Sequence, residues 1–483
     1  MTKIAFIQEE LRERFGLMIL SAVLKQNGHS CDVFIDEKTE NVIHDVIEYN
    51  PNIIAFSTMT AGIKFAKDCI GRLREKTDAF IIMGGPHPTF YPEVLNELAI
   101  NAICVGEGED ALVELANCFE SGKDYTTIQN LHINKNGKVF KNDVRPFKDV
   151  ATLPNFDREI YYNKYYELRN APTKKFWIVR GCPYNCTYCF NHSVKKIYSG
   201  KGRYLRYEGQ DRIINEMKEV REKYGVTWYQ FNGDTMNADR DWFMSFLDKY
   251  KKEIDMPFMC NVYVSKVDED MVKKMKDAKC DRVDFGVEHG DDEIRRKVLK
   301  RYMTNDQIIN GGKLFKKYGI RVHTANIIGV PHETIESAMK TIEVNRQFQP
   351  ELARCFSLQA YRGTEIYDYA IEHGFLGPGS TFSELGTGFQ IGFDGSAHSM
   401  SLNLKQTKEL TNLYYFFSVL VKYKWLDPLM RILIKLPPNR IFFLLHAFPV
   451  LKVDAKYSKS LNRKLKMVMA LLKILFGKSS SSE

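Results

Sequence analysis

Over the first 125 residues, short runs that are apolar at consecutive positions alternate with stretches of helical spacing. Lys3–Gln8, Cys31–Ile35, Ile53–Ser57, Phe80–Met83 and Ala102–Val105 predict strands covered on both faces. Leu17–Gln26, Ile63–Lys76, Tyr91–Glu97 and Glu109–Ser121 predict the helices between them, with Gly28 as a stop signal for the first. Such alternation predicts a doubly wound, Rossmann-like α/β domain whose ligand sits at the carboxyl ends of parallel strands. The loops expected there are Ser57-Thr58-Met59-Thr60, Gly84-Gly85-Pro86-His87-Pro88 and Gly106-Glu107-Gly108-Glu109. Their small residues let a ligand approach the backbone closely.

Asn130–Asn142 reads as a hairpin turning at Asn134–Gly137, and Asp143–Asp157, with Pro146 and Pro154, as an extended linker. From Phe176 the alternation resumes. Phe176–Val179, Thr227–Phe231, Phe258–Val264, Arg282–Val287, Arg321–Ile328 and Ala353–Ser357 are predicted strands. Gly209–Tyr224, Asp239–Tyr250, Asp268–Asp277, Asp291–Lys300, Thr304–Tyr318 and Thr334–Gln347 are predicted helices. Six such units predict a partial, TIM-like (β/α)6 barrel open on one side, with its chemistry where strands end. The expected domains are residues 1–128, a hairpin and linker 129–170, a barrel 171–375 and a basic, mainly helical region 376–483.

The chain has 483 residues, too many for one ordinary core. Its net charge of +9 is uneven: from Ser401 onward there are fifteen Lys and Arg against four Asp and Glu, leaving the rest near neutral. That tail interleaves basic residues with the apolar runs Tyr414–Phe417, Ile441–Leu445 and Met467–Phe476. Its longest uncharged run, Leu410–Val421, falls short of the roughly 20 residues of a membrane span. Two expectations stand for it: a helical cap over the open barrel, or a basic amphipathic surface that meets anionic membrane and receives a lipid-like substrate. No nucleic-acid recognition module is visible. Ser479–Ser482 reads as a frayed end. Met1-Thr2-Lys3 runs straight into a strand-like segment without a secretory leader, and ten cysteines in so long a chain do not make a secreted disulfide framework. The expected compartment is the cytoplasm.

Three of the ten cysteines, Cys182, Cys186 and Cys189, fall within eight residues in the stretch Val179–Asn191, directly after the strand-like Lys175–Arg180. Thiolates so close on one loop can share a metal centre. Zinc at a structural site takes four ligands, as does an ordinary iron–sulfur cluster, so three cysteines leave one iron open for a small molecule. The spacing C-x3-C-x-aromatic-C resembles the cluster-binding motif of the radical S-adenosylmethionine (SAM) superfamily. The first domain resembles the cobalamin-binding domain that precedes many radical SAM domains. The matches there are Asn27-Gly28-His29, the S-T-M-T and G-G-P-H-P loops and the V-G-E-G-E turn from Val105. The D-x-H-x-x-G signature is absent, and His29 and His87 do not occupy its place.

The resemblance covers about residues 1–375 and carries several implications. Cys182, Cys186 and Cys189 ligate a [4Fe–4S] cluster, flanked by Tyr188 and Phe190 on the adenine side of SAM. Gly233, Asp234 and Thr235 match the segment that meets SAM's amino group, although aspartate and threonine replace the usual residues; a helix cap is the plainer reading of that pair. Glu288 sits near SAM, and His289, in place of a serine, faces substrate or is an ordinary strand-end residue. Gly329–Thr334 is a turn in which Pro331 and Glu333 have structural as well as functional readings. Arg362 holds an anionic group or is solvated. Cobalamin, held without a histidine ligand, contacts Ser57, Thr58, Gly84, Gly85, Gly106 and Glu107.

The leading expectation is a cobalamin-dependent methyltransferase acting on an unactivated carbon of a small-molecule or lipid-like substrate, through a 5′-deoxyadenosyl radical and methylcobalamin. A flavodoxin- or ferredoxin-type donor supplies electrons. The alternatives are a radical cyclase or oxidoreductase with the same two domains, a methylthiotransferase with a second cluster on Cys31, Cys69 and Cys104, and a non-enzymatic lipid or partner binder.

Overall fold

The computed structural model describes residues 1–377 and 401–457. The predicted features Met467–Phe476 and Ser479–Ser482 lie outside the described residues. Among the described residues two compact units form: residues 1–180 with 193–227, and residues 181–192 with those described from 228 onward.

In the first unit β1 (Lys3–Gln8), β2 (Ser30–Ile35), β3 (Ile53–Ser57), β4 (Phe80–Gly84) and β5 (Ala102–Cys104) are parallel, in the order β2-β1-β3-β4-β5. Their apolar runs serve two cores at once. Ile4, Phe6, Ile53, Ala55 and Ile82 face the helices Phe15–Gln26 and Glu109–Ser121. Ala5, Ile7, Ile54, Phe56 and Ile81 face Val42–Tyr49 and Ile63–Arg74. The helix Val42–Tyr49 escapes the sequence pattern; Asn41 caps it by accepting from His44 N. The predicted Tyr91–Glu97 helix shortens to Val94–Glu97, and a separate short helix, Pro86–Phe90, forms in the loop expected before it. The hairpin β6 (Leu131–Lys135) and β7 (Lys138–Lys141) forms where expected, with Asn136 and Gly137 both left-handed. It also extends the sheet, pairing antiparallel with β5. β8 (Thr173–Arg180) pairs antiparallel with the short β9 (Arg206–Tyr207).

In the second unit β10 (Trp228–Gly233), β11 (Phe258–Asn261), β12 (Cys280–Glu288), β13 (Arg321–Ile328) and β14 (Leu352–Ser357) are parallel, each beside its predecessor. Helix starts follow side-chain chemistry: Asp239, Asp268, Thr304 and Thr334 each accept a hydrogen bond from a first-turn amide, and Thr304 forms a capping box with Gln307.

The predicted helix Asp291–Lys300 is instead a short π-helical turn, Ile294–Val298. The turn carries Arg295, whose side chain is fully buried. Its guanidinium donates to His289 O (2.6 Å), Asn305 Oδ1 (2.7 Å) and Met303 O (2.8 Å) and pairs with Asp292.

The C-terminal helices Thr407–Lys422 and Arg440–Tyr457 pack Leu410, Phe416, Phe417, Phe442 and Phe443 into the core that holds Ile342, Ala353 and Cys355. Ser418 donates to the Ala353 carbonyl of β14. Arg346 donates to Leu420 O and to Asp427. This covers the last strand, as the cap reading expects.

Arg295→Met removes every donor that this loop depends on and leaves buried carbonyls unpaired. Its expected cost is about 3 kcal/mol, read as a lowered denaturant midpoint with the slope unchanged.

Candidate active site

The carboxyl ends of β1, β3, β4 and β5 surround a pocket of about 210 Å³ in the first unit. Strand order reverses between β1 and β3, the place where doubly wound sheets bind ligands. Leu17, Leu20, Leu112 and Leu131 make its walls apolar, and Ser57, Gly84, Gly85, Gly106 and Glu107 line it. These are five of the six residues expected at cobalamin. The sixth, Thr58, is buried behind them, its N–H donating to Gly84 O at 2.8 Å and its carbonyl accepting from His87 N at 3.0 Å.

Gly106 has φ of +78°, and a Cβ there would lie 2.0 Å from the Tyr198 hydroxyl. That hydroxyl accepts from Glu107 N at 2.8 Å and from Asn130 Nδ2 at 3.2 Å. Glu107 is engaged as well: Arg206 Nη2 donates to it at 2.6 Å and Nη1 at 3.1 Å. Arg180 donates to Glu109 at 2.6 Å. Arg206, Arg180, Glu109 and Tyr198 lie outside the sequence-predicted set.

No histidine lines the pocket. His87 is buried beside Thr60, and burial lowers its pKa to about 4. His29 lies against Asn117. Apolar walls, glycine-bare strand ends and a histidine-free lining suit cobalamin held without a histidine ligand.

In the second unit a cavity of about 380 Å³ is lined by Cys182, Cys186, Cys189, Tyr188, Asp234, Thr235 and Glu288 together. Among the described residues no group of three side chains is arranged around a single metal ion. Cluster ligation places each thiolate on a different iron, so the sulfurs need not meet at one point. Burial raises the thiol pKa of Cys182, and that of Cys189 to about 12, as expected of thiols without their metal partner.

Asp234 is not a helix cap. Its carboxylate accepts from Gly181 N at 3.0 Å and Asn191 Nδ2 at 2.9 Å, clasping both ends of the cysteine loop. Burial raises its pKa. Thr235 Oγ1 lies 3.6 Å from Cys182 Sγ. Gly233 lies outside the lining; its carbonyl accepts from Asn261 Nδ2. Phe190 also lies outside it and stacks on Tyr361 at 5.5 Å.

Glu288 ends β12 with φ of +62°, at a break in register with β13. Its carboxylate folds back over Gly286, where a Cβ would lie 1.8 Å from Oε1. Burial raises its pKa, opposed by Arg301 and a hydrogen bond from Tyr188. Arg301, absent from the predicted site residues, is the centre of this corner. Its Nη2 donates to Gly286 O at 2.9 Å, while Nη1 stands 3.5 Å from the Tyr188 hydroxyl and 3.9 Å from Cys186 Sγ. The Lys300-Arg301 pair was its signal in the sequence.

His289 does not face the cavity. It is fully buried and contacts Glu333 Oε1 through Nε2 at 2.9 Å, while its Nδ1 accepts from Asp291 N. Glu333 Oε2 accepts from Gly329 N and Val330 N. Glu333 thus ties two strand-end loops together, and Thr334 caps the following helix.

The cavity also reaches Asp284, His323 and Arg354 on three adjacent strands. Arg282 Nε contacts Asp284 at 2.8 Å. Arg354 stands 3.4 Å from both Asp284 Oδ2 and His323 Nδ1. Burial and the neighbouring guanidiniums lower the His323 pKa to about 3. No motif flagged these residues, because alternate strand positions read as surface when strand pairing is unknown.

The chain matches the B12 binding domain over residues 12–116 and the Radical SAM superfamily over residues 178–344. It is 27% identical over 375 residues to an uncharacterized methyltransferase of Pyrococcus horikoshii, covering 75% of this chain and 79% of the relative. It is 23% identical over 351 residues to the anaerobic magnesium-protoporphyrin IX monomethyl ester cyclase of Rubrivivax gelatinosus, covering 69% of this chain and 62% of that one. In fold it resembles the radical SAM methyltransferase TsrM of Kitasatospora setae, with a TM-score of 0.66 at 17% identity over 77% of this chain and 76% of that chain. With the three-cysteine cavity and the histidine-free pocket, these matches place the chain in the radical SAM family that carries a B12-binding domain, whose cofactors are a [4Fe–4S] cluster, SAM and cobalamin.

Proposed function

We propose that the protein is a cobalamin-dependent radical SAM methyltransferase acting on an unactivated carbon. The observation that carries this reading is the glycine-bare, apolar pocket at the end of the first sheet, which would take part of cobalamin against bare backbone, in a chain that also holds the three-cysteine cavity. The methyltransferase relative supports methyl transfer over cyclisation. When bound, the cluster and SAM supply a hydrogen-abstracting radical, and cobalamin carries the methyl group.

The chain's own residues bind, orient and shield. Cys182, Cys186 and Cys189 would hold the cluster, and Asp234 fixes their loop. Glu288 and Asp234 offer carboxylates to the ammonium and hydroxyl groups of SAM, with Tyr188 beside them. Arg301 sets a buried positive charge beside Cys186, which favours the reduced cluster electrostatically. Gly84, Gly85 and Gly106 would accept cobalamin against bare backbone, with Ser57, Thr58 and Glu107 around them.

A small-molecule or lipid-like substrate, an external flavodoxin- or ferredoxin-type electron donor and a cytoplasmic location belong to the same reading. No helix among the described residues is long and apolar enough to cross a membrane.

The cyclase reading is favoured by cyclase relatives, the Rubrivivax enzyme among them. The methylthiotransferase reading lacks its second cluster. Cys31 and Cys104 belong to the core on one face of the first sheet, and Cys69 to the core on the other.

Three outcomes are expected. The anaerobically reconstituted protein yields both S-adenosylhomocysteine and 5′-deoxyadenosine per product; 5′-deoxyadenosine alone sinks methyl transfer in favour of cyclisation. Iron analysis gives about four irons per chain, falling at least tenfold in the Cys182→Ala/Cys186→Ala/Cys189→Ala variant, which still retains cobalamin by absorbance. Gly106→Val reverses the pattern, losing cobalamin about tenfold or more while keeping its iron.

A further inference from the structure

The C-terminal helices present a face that neither site uses. Among the described residues twelve large apolar side chains are exposed, and six of them, Trp425, Leu429, Ile432, Leu436, Ile441 and Phe448, lie within one short stretch. Around the helix Asp427–Leu433, positions 425, 429, 432 and 436 recur at the spacing of a single helical face. Met430 and Ile434 point the other way, into the core shared with Phe442 and Phe443. The helix is therefore apolar on both sides, with one side packed and the other bare. Trp425 is 76% exposed and Ile432 64%.

The charge around this face is mainly positive, with Glu343 of the helix Ile335–Phe348 lying 3.9 Å from Lys424. Between Glu409 and Asp454 the sequence has Lys422, Lys424, Arg431, Lys435, Arg440 and Lys452 against a single acid, Asp427. Arg346 holds that acid at 2.6 and 2.9 Å. Lys422, Lys424, Arg431, Lys435 and Lys452 are exposed.

We propose that this face docks the protein on the surface of an anionic lipid bilayer. The Trp–Leu–Ile side enters the boundary between headgroups and acyl chains, and the surrounding lysines and arginines meet headgroup phosphates. Two features favour lipid over a protein partner. Lysine is depleted from protein interfaces, whereas lysine and arginine bordering a Trp- and Leu-bearing face are the make-up of helices that lie in a membrane surface. Long basic side chains can also bury their stems while their charges stay at the headgroups. The contact is peripheral, since no described helix is a candidate span. It does not depend on the two-cofactor reading.

The test is co-sedimentation of the full chain with vesicles of phosphatidylcholine, with and without phosphatidylglycerol. Binding to the anionic vesicles is expected to be at least about tenfold tighter, to fall with added salt, and to shift tryptophan emission to the blue through Trp425. Trp425→Phe keeps most of the binding and loses the shift. Leu429→Glu/Ile432→Glu weakens binding about tenfold or more. Arg431→Glu/Lys435→Glu, at two exposed side chains, weakens it on anionic vesicles specifically.

Equal sedimentation of both double variants and the unaltered chain overturns the proposal. So does a dimer, seen by light scattering, that Leu429→Glu/Ile432→Glu dissolves, because the face then belongs to a second copy. SAM cleavage by the reconstituted double variants without vesicles is unchanged in either case, so failure of docking and failure of the methyl-transfer reading are told apart.

Discussion

A parallel strand has to be covered on both faces, and this constraint shapes both units. Continuous apolar runs such as Ile53–Ser57 leave no room for chemistry along a strand's length, so polar groups collect where strands stop. Ser57, Gly84 and Gly106 sit at such stops in one unit, and Asp234 and Glu288 in the other. Each stop releases backbone groups from the ladder, and the loops satisfy them with side chains. Glu333 takes the amides of Gly329 and Val330, Asp234 that of Gly181, and Arg295 the carbonyls of His289 and Met303. The binding surfaces are built on these side-chain clasps.

Much of this was legible in the sequence because strand runs, caps and glycine-rich ends are local signals. All eleven predicted strands form, and the cysteine motif falls on the loop after β8. What stayed hidden depends on partners far along the chain. His289 and Glu333 looked like independent strand-end residues, but they meet across 44 positions and serve the fold. Asp234 resembled a helix cap until Asn191 and Gly181 were found on its carboxylate. The burial of Arg295 in the π-helical turn Ile294–Val298 was hidden too, because the groups that satisfy its guanidinium lie up to ten positions away.

Charge shows the same dependence. Asp284, His323 and Arg354 are unremarkable one at a time. Strand register alone brings them together: Asp284 pairs with His323, and Ala325 with Arg354. The tail is the opposite case. Its basic surplus was plain from composition, yet which of its apolar residues are packed and which are bare depends on the turn of one short helix, with Met430 in and Ile432 out.

The contact between Gly106 and Tyr198 has an evolutionary consequence. The tyrosine ring occupies the space a side chain at position 106 would need, and it also supplies the hydroxyl that receives the Glu107 amide. Neither position can drift alone. A smaller residue at 198 would clear the space but orphan the Glu107 amide, and the left-handed backbone at 106 would still strain any side chain there. The two sites, 92 residues apart by number, are inherited as one character. Among descendants of this chain, loss of the glycine should be accompanied by loss of the tyrosine.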